Sequence, residues 1–348
     1  MTATVSATRF DSKPLFAGLL ASGFVLLALS IAIAITFGPA SLSVGDVYAV
    51  VLEHWGLGTS GVSRIKDGIV WELRLPRTLL AAICGAGLAL CGAIMQSLLR
   101  NPLADPFVLG ISSGASTGAV LVLVLGIGAG SISLSMGAFT GAVLSFTLVM
   151  LLAAGAGGGT ARVILAGVAG TQLFSALTSF IVISSADAEQ TRGVLFWLLG
   201  SLSGADWSDV TLCGAATVLG IVVCLAHASA MDAFTFGNSA AASLGVSVRR
   251  VRITLLTVTA LITAALVSAA GAIGFVGLVL PHAARFLVGA RHSRLLPATA
   301  LTGAIFMVWV DAIARTLFAP QEVPVGVVTA LIGVPAFALI LFRMRSSQ

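Results

Sequence analysis

Three arginines carry the most pointed chemistry in this chain. Arg74 and Arg77 bracket Leu75 and Pro76 in the run RLPR, and Arg315 closes the run DAIAR. A guanidinium is planar, permanently charged, and presents a fork of donors that grips a carboxylate through two hydrogen bonds. What these residues offer is recognition of acidic groups, not bond making. Local partners compete for the same forks: Glu72 stands close to Arg74, and Asp311 lies four residues before Arg315, the spacing of a helical salt bridge. A second set is neutral. Thr171, Ser175, Thr178 and Ser179 share one helical face by i, i+3 and i, i+4 spacing. They suit either a polar pathway lining or hydrogen bonds between helices. His282, beside Pro281 and Arg285, reads as a packing residue near a membrane face rather than as a proton relay.

Several chemistries have no residues to run them. There is no GxxxxGKS/T phosphate loop, and Lys13 and Lys66 are the two lysines of the chain, so ATP is not held by that device. No His/Cys metal spacing and no GxSxG or HExxH motif occurs. Cys84, Cys91, Cys213 and Cys224 fall within apolar runs and read as small packing residues. Asp311, toward the end of its run, is the one carboxylate inside a predicted span, whereas ion-coupled carriers commonly keep ionisable groups near mid-membrane. A chain that moves a solute with neither an ATP site nor a proton relay draws its energy from a partner.

The elements that must position these residues are membrane helices. Hydrophobic residues make up 58% of the 348 and charged residues 9%, with a mean hydropathy of +1.10. That composition belongs to an integral membrane protein. The 39 glycines suit helices that approach closely. The apolar runs are helix-length, unlike the strands of an outer-membrane barrel. The net charge of +5 is scattered over loops and does not suggest nucleic acid. Hydropathy predicts an all-α polytopic bundle of about ten transmembrane helices, read as one domain over 1–348: 15–37, 75–99, 107–127, 134–154, 163–183, 210–228, 253–270, 273–288 (short), 295–318 and 325–342. The first is long and followed by further spans, so it reads as a retained helix rather than a signal peptide. Residues 78–99 carry no charge and make a helix of ~33 Å against a bilayer core of ~30 Å. An arginine at mid-bilayer costs ~2.5–3.5 kcal/mol, which sends Arg74 and Arg77 to one surface and Arg100 to the other.

The charges set the orientation. Twelve of the 18 lysines and arginines fall on one side, among them Arg100, Arg162, Arg249, Arg250 and Arg285. Arg64, Lys66, Arg74, Arg77, Arg192 and Arg315 fall on the other. The positive-inside rule places the twelve, both termini and a tail over 1–14 in the cytoplasm. The outside segment 185–209 contains FWLLGSL, too short to span, which reads as an interfacial helix with Trp197 and Trp207 at the boundary. The inside segment 230–250 carries little charge before Arg249 and suits short helices resting against a soluble partner.

Taken together, these blocks resemble the FecCD-type permeases, the membrane subunits of type II, binding-protein-dependent ABC importers for iron–siderophore complexes, haem and vitamin B12. The likeness runs from about residue 70 to the C-terminus. It rests on RLPR at 74–77, GxxLxGxxxQxxxRNPLADPxxLG at 87–110, LAGVA at 165–169 and FWLLGSL at 196–202. It continues through GxxxAxxLGV at 237–246, GFVGLVLPHAAR at 274–285, DAIAR at 311–315 and EVPVGVVTALIGVPAF at 322–337. Any one block is weak; eight in order are not a chance match.

The resemblance implies ten helices per subunit and a pair of permease subunits, identical copies or paralogues, in the bacterial cytoplasmic (inner) membrane. It also implies two cytoplasmic ABC ATPases that bind the ATP and Mg²⁺, and an extracytoplasmic substrate-binding protein. This chain would then hold no cofactor, no metal and no catalytic residue. The resemblance makes Arg74, Arg77 and Arg315 docking arginines for acidic residues of the binding protein. Asn101 and Leu103, in the proline-braced turn RNPLADP, form a cytoplasmic gate, with Thr160 at the start of the fifth helix. Gly237, Asn238, Ala241, Leu244 and Gly245 couple to the ATPase, and Thr171, Ser175, Thr178 and Ser179 line the pathway. Asn238 departs from the family pattern, which often has an acidic residue there. Glu322 and Pro324 suit binding-protein contact or shaping of an outside turn. Ferric siderophore ranks first as cargo, with haem and cobalamin as alternatives; a stand-alone secondary transporter is the alternative class.

Overall fold

Hydropathy and glycine spacing together dictate a bundle around one buried helix. The computed structural model describes residues 13–345 apart from 39, 60 and 129. Most of the expected tail over 1–14 lies outside the described residues; Lys13 and Pro14 already belong to the first helix. The helices are α1 (Lys13–Thr36), α2 (Val44–His54), α3 (Arg64–Gly68), α4 (Leu75–Leu99), α5 (Ile111–Leu123), α6 (Leu134–Gly155), α7 (Thr160–Ser185), α8 (Ala188–Leu198), α9 (Trp207–Ala226), α10 (Ala228–Phe234), α11 (Asn238–Ser243), α12 (Val248–Ala270), α13 (Val276–Val288), α14 (His292–Thr316) and α15 (Val325–Arg345). Ten of them, α1, α4–α7, α9 and α12–α15, correspond to the ten predicted spans. By length and hydropathy seven qualify as membrane spans, while α5, α13 and the apolar part of α15 are shorter apolar helices.

The hub is α4, with 21 of its 25 residues buried. It packs against α9, α12, α13 and α14. Its small residues make this possible: a Cβ on Gly85 would lie 2.0 Å from the Gly303 carbonyl oxygen of α14, and one on Gly92 would lie 1.9 Å from that of Gly277. Backbones meet there with no room for a methyl group. The start of α4 continues α3 through a π-helical stretch, Ile69–Arg74, just before Pro76, whose missing N–H cannot serve the helical ladder. Its end is a left-handed Arg100 (φ 51°), with the Asn101 N–H closing back on the Gln96 carbonyl.

The third predicted span resolves into two pieces. Asp105 caps a short 3₁₀ turn, Pro106–Leu109, and Gly110 (φ 74°) turns the chain into the 13-residue α5. This irregular backbone is satisfied by protein: Ser145 Oγ donates to the Gly110 carbonyl at 2.7 Å. Two of the short connecting helices, α2 and α8, open on capping boxes. Ser43 and Asp46 form a capping box that starts α2, and Asp187 with Gln190 does the same for α8. Peripheral helices keep large apolar side chains outward, among them Phe24, Leu151, Leu165 and Leu219, as a lipid-facing surface requires.

Candidate functional site

The structure brings Arg74, Arg77 and Arg315 together at one end of the bundle, around a cavity of about 460 Å³ that Glu322 also lines. None of the three stands free. Arg77 Nε donates to Asp311 Oδ1 at 2.9 Å, and its Nη1 donates to both Glu322 oxygens at 2.9 and 3.0 Å. Arg315 Nε reaches Asp311 Oδ2 at 3.0 Å, realising the four-residue spacing, and Nη2 donates to the Ala34 carbonyl at 3.2 Å. Arg74 does not pair with Glu72. Its Nη1 donates to the Ile35 carbonyl at 2.8 Å, so two arginines satisfy carbonyls at the negative end of α1. Gly38 (φ 135°) permits this: a Cβ there would lie 2.6 Å from Arg74 Nη2. Asp311 is fully buried and Arg77 is 8% exposed, so both charges depend on each other.

At the opposite end of α4, Gln96 Nε2 donates to the Gly277 and Leu278 carbonyls, and its Oε1 accepts from Arg285 Nη1 at 2.6 Å. His282 Nδ1 meets the carbonyl of Leu278 on its own helix, in keeping with a packing residue. In the turn after α4, Asn101 Oδ1 accepts from the Leu103 N–H at 2.9 Å, and Leu103 is exposed. Thr160 opens α7 on a separate turn; among the described residues no hydrogen bond joins it to Asn101 or Leu103. Asp105 Oδ1 accepts from the Phe107 N–H at 2.9 Å, and a Cβ on Gly277 would lie 3.1 Å from Oδ2. Burial pushes the Asp105 carboxyl up to about 6, against the lowering effect of the Phe107 N–H.

The segment 230–250 forms two short helices, α10 and α11, joined by Thr235–Gly237. Of its predicted coupling residues, Ala241 faces the core, fully buried, while Asn238, Leu244 and Gly245 are exposed and Gly237 is half-buried. Phe236 (78% exposed) and Leu244 (70% exposed) flank α11 with bare apolar surface. Arg252 Nη2 donates to Asn238 Oδ1 at 3.3 Å.

The polar face of α7 divides. Thr178 is buried and shares a 2.9 Å hydrogen bond with Thr117 of α5, which makes it an interhelical contact. Ser175 and Ser179 lie on the exposed side with Gln172, and Thr171 is half-buried between. Sequence reasoning left the Arg77 pairs unseen, and one further contact. Asp232, the lone carboxylate of 230–250, accepts from both the backbone N–H and Nδ1 of His292, sixty positions away. Pattern offers no signal for such a pair. Among the described residues no group of His, Cys, Asp and Glu could hold a metal ion.

The architecture is that of a multi-span membrane permease. A model of the FecCD transport family matches residues 26–343, and the chain belongs to that family. It is 44% identical over 282 residues to the cobalamin import system permease of Halobacterium salinarum, covering 81% of this chain and 75% of that one. It is 37% identical to the hemin transport system permease of Yersinia pestis, covering 94% and 96%. It is 34% identical to the iron(3+)-hydroxamate import system permease of Bacillus subtilis, covering 94% and 83%. Among solved structures it matches an ABC transporter assigned to the metal-chelate type, in an inward-facing conformation. The TM-score is 0.82 at 31% identity, with 94% and 99% covered. The resemblance drawn from the eight sequence blocks is borne out, as is the all-helical bundle.

Proposed function

We propose that this chain is the permease subunit of a binding-protein-dependent importer that carries an iron chelate across the bacterial cytoplasmic membrane, with both termini in the cytoplasm. The observation that carries this reading is the bare surface around α11. Phe236 and Leu244 offer a partner an apolar contact on a chain that has no phosphate loop of its own. ATP and Mg²⁺ belong to two ATPase subunits, one seated on the α11 of each permease subunit. A second permease copy or paralogue packs beside α7, whose exposed Gln172, Ser175 and Ser179 make no side-chain hydrogen bond within the described residues. Lipid gives such groups no partners, whereas a pathway between two subunits gives them water. The binding protein docks over the arginine cavity, where its carboxylates compete with Glu322 for Arg77 and find Arg74 and Arg315 beside it. The turn at Asn101 and Leu103, with Thr160, closes the pathway at the other end. Named relatives carry hemin and iron hydroxamate, which supports an iron chelate, with ferric siderophore first. A cobalamin permease at 44% identity keeps cobalamin as the second reading.

Uptake of labelled ferric hydroxamate, ferric catecholate, haem and cobalamin, in cells with and without this gene and with the partner ATPase intact or inactivated, tests the reading. Loss of one cargo in both mutants is expected. Gene-dependent uptake that survives ATPase inactivation would overturn it.

A further inference from the structure

We infer that Asp232 and His292 form the joint through which the ATPase-facing segment moves α14, and that α14 and α4 carry this motion as one body to the arginine cavity. The inference rests on the proposed ATPase contact at α11.

The joint is a helix start capped from another element. Arg291 occupies the N-cap position of α14 but provides no side-chain cap. Asp232 of α10 provides it instead, with Oδ1 2.9 Å from the His292 N–H and 2.6 Å from Nδ1. A carboxylate only accepts, so Nδ1 carries the proton. The negative charge also sits at the positive end of the α14 dipole. His292 is 3% exposed, while the Asp232 side chain keeps 35% of its surface, so the contact is half-buried with its histidine side closed to water.

The elements on both sides of the joint are packed into the bundle, α14 with Pro297 in its second turn. α10 is anchored by Met231 and Phe234, both buried, and leads through three residues into α11. The other side-chain bond from this segment to the bundle, Arg252 to Asn238 of α11, is exposed and 3.3 Å long. Of the two links, the half-buried, charge-assisted and doubly bonded one is the stronger. Beyond the joint, α14 runs antiparallel to α4. A Cβ on Gly303 would lie 2.2 Å from the Gly85 carbonyl oxygen, and interiors this close move together rather than deform. At the far end, Arg77 of α4 and Asp311 of α14 are bonded at 2.9 Å, and Arg315 ties in the end of α1. From His292 to Asp311 the helix is about 29 Å long. A shift of α10 therefore reaches the cavity that Arg77 and Arg315 line.

Asp232 and His292 are positioning residues, so the test reads coupling rather than activity alone. Permease, ATPase and binding protein are reconstituted in proteoliposomes, and ATP hydrolysis and cargo uptake are measured together. Asp232→Ala and His292→Ala are expected to keep ATP hydrolysis within about twofold while uptake falls at least tenfold. The double variant is expected to be no worse than the worse single. Asp232→Asn keeps an acceptor for the His292 N–H, and with it the helix start. It is expected to uncouple several-fold, and it is the variant read if Asp232→Ala does not fold. A second readout follows the cavity itself. Ser203→Cys on its lining is labelled with a membrane-impermeant thiol reagent, the four native cysteines being buried. Its labelling rate is expected to change between nucleotide-free and vanadate-trapped states in the parent background, and not with Asp232→Asn. Wild-type ATP per cargo and an unaltered labelling switch in the variants would sink the joint alone. Wild-type uptake without ATP would remove the importer reading, and the joint would fall with it.

Discussion

The two ends of the bundle are built on opposite principles. At one end, Arg77, Asp311, Arg315 and Glu322 pair with one another across α4, α14 and the turn before α15, and Arg74 and Arg315 also donate to α1 carbonyls. At the other, α11 leaves Phe236 and Leu244 bare and is held to the bundle through the exposed Asn238 and the buried Ala241. The first end pairs its charges internally, although Asp311 Oδ2 has the Arg315 ion pair without a hydrogen bond. The second has an apolar surface that none of the described residues covers. The difference separates an end whose charges are already paired, so that a partner must compete for them, from an end whose apolar surface is bare, a distinction that residue type alone does not make. An arginine invites a binding role and an alanine-rich turn does not. Here the arginines are already internally engaged, and the turn is the open surface.

The largest effect should come from emptying the closed end. Asp311→Ala leaves Arg77 and Arg315 in a largely buried site without the carboxylate they share. Breaking a buried pair from one side costs about 3–5 kcal/mol. The expected outcome is a large drop in the thermal midpoint of the detergent-solubilised chain, with poor yield. Asp311→Asn keeps the shape and one acceptor and should lose less. A midpoint equal to the parent for Asp311→Ala would mean that the cluster does not hold the fold, and the contrast between the ends would disappear.

The open end should answer in the opposite way. Leu244→Asp changes a side chain that is 70% exposed, so stability should stay within about 0.5 kcal/mol. Affinity for the ATPase subunit should fall at least tenfold, equivalent to about 1.4 kcal/mol. Titrating labelled ATPase onto the purified permease measures it. Unchanged affinity would leave α11 as a plain connection, and the surface would need another occupant.

Much of this contrast was legible from the chain, and the missing part has a physical reason. Spans are visible because a bilayer demands unbroken apolar length, and all ten positions carry helices. The π-helical approach to Pro76 and the 3₁₀ turn before Gly110 were not visible, since hydropathy does not register how the backbone bonds. The arginines stood out by type and the Asp311–Arg315 pair by spacing. Their sharing with Arg77, and the Arg77–Glu322 pair, depend on folding together positions more than two hundred residues apart. The same distance effect hid Asp232 and His292. In α7, periodicity put Thr178 with Ser175 and Ser179. It took the neighbour Thr117 to show that Thr178 faces inward.

The smallest expected effect lies between the two ends, in the turn that follows α4, and it is read by pH. Asp105 is needed as a cap, since Oδ1 takes the Phe107 N–H, yet its site beside Gly277 penalises charge and lifts its carboxyl from the ordinary 3.8 to about 6. The folded form therefore holds the proton more tightly than the unfolded chain does. Stability contributed by this group is greatest below about pH 4, falls as pH rises towards about 6, and is lowest above that. Asp105→Asn keeps the cap and removes the charge. At pH 7.5 it should raise the thermal midpoint slightly, and at pH 4 it should match the parent, so the difference between the two proteins shrinks on acidification. A variant less stable than the parent at pH 7.5 would show that the ionised carboxylate is wanted in this turn. The turn would then belong with the arginine end, as a second place where a buried charge is held by design, rather than with the neutral packing that surrounds it.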